Sequence, residues 1–164
     1  MGDDPIILSG GQVRGILRRV GVPVRALVVL ADRSYAVPTV ASFDRFGAWH
    51  GNELFRAGLS QWHAYWDCDD FARDFAVWAA RRFAKDRRAG NAPEADAIAI
   101  FAHWWTPLTV AGPHATILAF VPADDAHPEV AHGVGLRCLE PQPRAALRVI
   151  PEGMRAWETT TFVR

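Results

Sequence analysis

Three side chains of this sequence can carry covalent chemistry together. Cys68 stands in Trp66-Asp67-Cys68-Asp69-Asp70-Phe71-Ala72, His114 in Gly112-Pro113-His114-Ala115, and Glu140 in Leu139-Glu140-Pro141-Gln142. A thiol, an imidazole and a carboxylate are the parts of a nucleophilic hydrolase site. The thiolate attacks a carbonyl, the imidazole takes and returns a proton, and the carboxylate orients the imidazole. Cys68 opens an amphipathic stretch, and the positive end of a helix favours a thiolate.

Taken singly, each residue also fits a plainer role. Cys68 suits a small buried apolar site, His114 a strand-start surface and Glu140 an exposed strand end. The other five histidines sit among aromatics (His50, His63, His103) or in a loop (His127, His132). His114 is set apart by Gly112 and Pro113, which allow a close approach and remove a ladder donor just before it. The site also needs an oxyanion donor. The Cys68 backbone N–H and the side chains of Gln61 and Gln142 are the candidates, and Trp62 and Trp66 could wall a cleft. Three aspartates beside Cys68 oppose a thiolate. Calcium, which prefers clustered carboxylate oxygens, would neutralise them, although the spacing is not that of an EF-hand.

These residues need a helix and two strands to bring them together. Phe71, Phe75, Trp78, Ala79 and Phe83 form one apolar stripe, which predicts a helix over 68–85 capped by Asp67. The stretches 97–105, 114–121, 134–140, 145–150 and 159–163 read as strands. Upstream, the pattern predicts a helix over 12–20, a strand over 24–30, an extended edge at 35–38, and a helix over 43–54 capped by Ser42. Helices followed by strands imply an α+β domain, with N-terminal helices and the Cys68 helix packed on an antiparallel sheet. The expected organisation is one domain over residues 1–164. Cys138 lies two residues before Glu140, faces the same side of its strand, and could bridge to Cys68 on oxidation.

Composition narrows the function classes. The 164 residues are 50% hydrophobic, with 18 basic and 18 acidic groups. Net neutrality argues against nucleic-acid binding by bulk electrostatics. The basic run from Arg81 to Arg88 suits a solvated helix end. No apolar run is long enough for a membrane span, and the acidic start is unlike a secretory signal. The expectation is a protein that is cytoplasmic, or released without a signal peptide. The cysteine spacing lacks the close pairs of a zinc site.

The Cys-Asp-Asp-Phe-Ala block, then Gly-Pro-His-Ala, then Glu-Pro-Gln resembles the papain-like domain of the Marasmius oreades agglutinin family, which has bacterial and phage stand-alone members. The resemblance runs from Gln61 to Gln142. It implies a cysteine-peptidase fold acting on peptide or protein, with Cys68 as nucleophile, His114 as general base and Glu140 as orienting carboxylate. It also implies calcium dependence; the family's ligands do not map residue by residue onto this chain, and Asp69 and Asp70 are taken as the expected ligands from their place beside Cys68. Pro113 departs from the small residue expected there, and sugar binding is not carried over. The order Cys, His, polar residue is also similar to NlpC/P60 cell-wall hydrolases, whose third group usually follows the histidine more closely. An inactive papain-like binding module is the non-enzymatic alternative.

Overall fold

The chain is described from a computed structural model at residues 4–22, 27–61, 63, 66–106, 114–141 and 158–163. Among these are three helices: α1 (Gly10–Arg19), α2 (Val40–Arg56) and α3 (Cys68–Arg88). The strands are β1 (Ile7–Ser9), β2 (Leu27–Val29), β3 (Ser34–Ala36), β4 (Ala97–Ile98), β5 (Ile100–Thr106), β6 (His114–Pro122), β7 (Val134–Leu139) and β8 (Glu158–Val163). The larger sheet runs β2-β8-β5-β6-β7 and is antiparallel apart from the β2–β8 pair. A smaller sheet runs β1-β3-β4.

Alternation along β6 explains how the larger sheet is clad on both faces. Ala115, Ile117 and Ala119 join Ile100, Ala102 and Leu139 under Ala72, Phe75 and Ala79 of α3. Small residues on both sides let the helix lie close to the sheet. Leu118 and Phe120 point the other way, into a core with Val13, Ile16 and Leu17 of α1 and with Leu8, Tyr35 and Phe101. Helix α2 lies against α3 through Phe43, Phe46 and Phe75, whose rings meet at 5.0–5.9 Å. His50, fully buried, bonds Asp74 Oδ2 through Nε2 at 2.8 Å. Asp74 therefore faces α2.

Several expected boundaries shift, each for a local reason. Helix α1 starts two residues early because Ser9 and Gln12 close a capping box. Helix α2 is capped by Thr39 rather than Ser42, whose N–H donates to Thr39 Oγ1 at 3.1 Å. Helix α3 continues to Arg88 and stops at Gly90, whose φ of +72° suits glycine. The expected strand over 97–105 is split: β4 pairs with β3, and β5 with β6 and β8. Tyr35 lies on a central strand, with Pro38 beyond its end. The expected strand over 145–150 lies outside the described residues, as does 24–26 of the strand expected over 24–30.

Candidate active site

The start of α3 is fixed by interactions that the local sequence encodes. His63 and Trp66 exchange two backbone hydrogen bonds, at 2.9 and 3.0 Å, in a tight turn. Asp67 then caps the helix, accepting from the Asp69 N–H at 3.1 Å, while Asp70 Oδ2 accepts from the Asp67 N–H at 3.3 Å. Trp66 and Phe71 flank the cap and meet edge to face at 5.7 Å. This is a capping box with a hydrophobic staple. It holds Cys68 as the first residue of the helix, half-buried against the core on the α3 face.

His114 opens β6 and Glu140 follows the last residue of β7. The antiparallel β6–β7 pairing makes them diagonal neighbours. His114 Nε2 and Glu140 Oε2 are 2.7 Å apart. His114 is also hydrogen-bonded to Cys68, and that bond, followed by the one to Glu140, raises its pKa to about 9 against the opposing effect of burial. With Nε2 on the carboxylate, Nδ1 is the ring nitrogen left for the sulfur. Helix and sheet thus join a thiol, an imidazole and a carboxylate that lie far apart in sequence.

The remaining expected site residues fare differently. Gln61 is exposed on a bend before the helix, and Gln142 lies outside the described residues. Asp67, Asp69 and Asp70 each offer a carboxylate oxygen, all within 4.8 Å of one another. The hydrogen bond between Asp67 and Asp69 raises the Asp69 pKa and lowers that of Asp67, as expected when two crowded carboxylates share a proton. Asp69 is also paired with Arg73 at 3.2 Å, and the Arg73 guanidinium lies 5.4 Å from the Trp104 ring centre. This all-oxygen donor set is of the kind a hard cation takes, so the cluster could hold a metal.

No family model matches the chain, and no curated protein matches it. Solved structures do. The PSL1a–E64 complex superposes with a TM-score of 0.65 at 16% identity, covering 96% of this chain and 50% of the other. The Polyporus squamosus lectin bound to a human-type influenza-binding epitope, Neu5Aca2-6Galb1-4GlcNAc, gives 0.61 at 16% identity, with coverages of 96% and 49%. The fold is papain-like. The chain spans about half the length of these matches, and at this identity they speak for the fold alone.

Two structural features beside Cys68 and His114 were not assigned from the sequence. One is the Trp66–Phe71 staple, whose signal is the pair of aromatics flanking the Asp67 cap. The other is Thr116, the single polar residue in the apolar run of β6. The suggested Cys68–Cys138 bridge is not formed. Both cysteines are free, and Cys138 is buried in the core on the α1 face while Cys68 packs against the core on the α3 face. Burial pushes the Cys138 thiol up to about 12, so it remains a neutral group.

Proposed function

We propose that the protein is a cysteine peptidase in which Cys68 is the nucleophile, His114 the acid and base, and Glu140 the orienting carboxylate. The observation that carries this reading is the hydrogen-bonded series from Cys68 through His114 to Glu140, with 2.7 Å between the last two. An imidazole raised to about 9 is an imidazolium at neutral pH, and a cation beside the sulfur favours the thiolate. The thiolate adds to the scissile carbonyl, and the imidazolium gives its proton to the departing amine. The neutral imidazole then draws a proton from water as the water attacks the acyl-enzyme. Glu140 keeps Nε2–H bonded, so that Nδ1 faces the reacting atoms throughout.

The Cys68 N–H lies in the first helical turn, where backbone donors lack an intrahelical acceptor, and it serves the oxyanion. Gln61 and Gln142 remain the side-chain candidates beside it. The substrate class is peptide or protein. The motif resemblance to the Marasmius oreades agglutinin family supports this reading, as does a structural neighbour in complex with E64. Calcium held by Asp69 and Asp70, with Asp67, would supply positive charge that offsets the carboxylates around Cys68.

The test is iodoacetamide labelling of the native protein across pH, with and without calcium, read by peptide mass spectrometry. Fast labelling of Cys68 below pH 7 that is lost in His114→Ala is the expected result. Labelling at an ordinary thiol rate under every condition would overturn the peptidase reading and favour a binding module. A calcium-dependent rise in melting temperature, absent in an Asp69→Asn/Asp70→Asn variant, is expected in the same samples. Saturation at a hundred times Kd corresponds to about 2.7 kcal/mol.

A further inference from the structure

Thr116 is the one polar residue among the fully buried positions from Ala115 to Val121 of β6. A hydroxyl there carries a desolvation cost that a valine would not. Its neighbours suggest why it is present. The β6–β7 register pairs Leu118 with Cys138 and Ile117 with Leu139, so Thr116 and Glu140 are the next residues on the two strands beyond the last pair. On its other side Thr116 is paired with His103 of β5, itself fully buried. Thr116 Oγ1 lies 3.5 Å from Cys138 Sγ. Thr116 thus has His103 opposite it on β5 and touches Cys138 on β7, with His114 two residues before it and Glu140 just past the β7 pairing, and its β-branched side chain has little rotamer freedom.

We propose that Thr116 is a positioning residue for the Cys68–His114–Glu140 site, anchored by Cys138 and setting the place of the Glu140 carboxylate against His114. The proposal rests on the peptidase reading of that site. The Thr116–Cys138 contact ties β6 to β7 one step inward from the His114–Glu140 bond. It fixes the spacing of the two strand ends where a small slip would separate imidazole from carboxylate. Among the groups around it, Cys138 and His103 are both neutral near pH 7, since burial pushes one to about 12 and the other to about 3. The imidazolium formed at His114 is thus left to Glu140 on β7 and Cys68 on α3.

The experiment compares wild type with Thr116→Val, Thr116→Ser and Cys138→Ala. It reads the His114 titration by NMR and the pH profile of Cys68 alkylation, with circular dichroism to confirm folding. The valine variant is expected to move the His114 midpoint from about 9 to about 8, one pH unit being a tenfold change in the proton equilibrium. The alkaline step in the Cys68 alkylation profile that follows His114 deprotonation is expected to move down with it by the same one pH unit. Thr116→Ser, which keeps the hydroxyl, restores both. A folded valine variant with the wild-type midpoint and profile, or a serine variant no better than valine, overturns the proposal. If the valine variant does not fold, Cys138→Ala reads the same contact from β7, and an unchanged midpoint there overturns the proposal equally. Failure of the underlying reading looks different, because wild type itself would then titrate near 6.5 and label as an ordinary thiol.

Discussion

His114 makes two hydrogen bonds with opposite sensitivities to substitution. Glu140→Gln keeps an oxygen that can accept from Nε2–H at the 2.7 Å position but removes the charge. Glu140→Ala removes both, leaving a half-buried imidazolium without its partner. Hydrolysis is therefore expected to fall about tenfold in the glutamine variant and about a hundredfold or more in the alanine variant, within the range for general acid–base groups. His114→Ala is expected to lose about a thousandfold, and Cys68→Ala all detectable turnover. Peptide cleavage kinetics check the series, and equal losses in Gln and Ala would mean that charge rather than orientation is what Glu140 supplies. That these three side chains could meet was legible in the sequence because each sits at a punctuation point, beside a helix cap or a proline at a strand end. For the oxyanion donors the sequence offers less, since glutamine carries no spacing rule.

At the scale of elements, the cap and the staple of α3 bear directly on the site because Cys68 is the next residue after the cap. Asp67→Ala removes the acceptor for the Asp69 N–H and is expected to destabilise the protein by about 1 kcal/mol. It should also slow Cys68 alkylation, as the first turn frays and carries the sulfur away from His114. Urea denaturation and labelling rate measured on one sample check both effects; a stability loss with unchanged labelling would separate the cap from the site. Strand β7 has its own constraint at the far end. A Cβ on Gly135 would run into the His127 backbone carbonyl, so Gly135→Ala must displace either the loop or the strand that leads to Glu140. A loss of about 1–3 kcal/mol is expected, the usual range for forced repacking. The helical stripe over 71–83 was readable because its period is long and regular, and β6 because its apolar run is unbroken. The division of 97–105 between two sheets was not readable, because both pieces are apolar and the break at Ala99 is set by β3, a distant partner. Strand β1 escaped for a related reason: three residues carry no period.

For the whole molecule, two histidines pull stability in opposite directions with pH. His103 is buried and neutral, lowered to about 3 from its ordinary 6.5. Between those values the unfolded chain binds a proton that the folded chain refuses, so stability rises with pH up to about 6.5. His114 is raised to about 9. Between 6.5 and 9 the folded chain holds a proton that the unfolded chain has released, so stability falls as pH rises through that window. Each single-proton difference tilts stability by at most about 1.4 kcal/mol per pH unit. The His114 limb is the shallower one, because that imidazole is partly exposed and solvent screens its partners. The expected outcome is a melting temperature that peaks near pH 6.5, measured by calorimetry from pH 4 to 10. His114→Ala should flatten the alkaline limb and leave the acid limb in place. His103→Phe, a ring of similar shape at this buried position, should soften the acid limb and leave the alkaline one. An alkaline decline that survives in His114→Ala would place its source elsewhere in the molecule and remove the charged imidazole from the account of both stability and site.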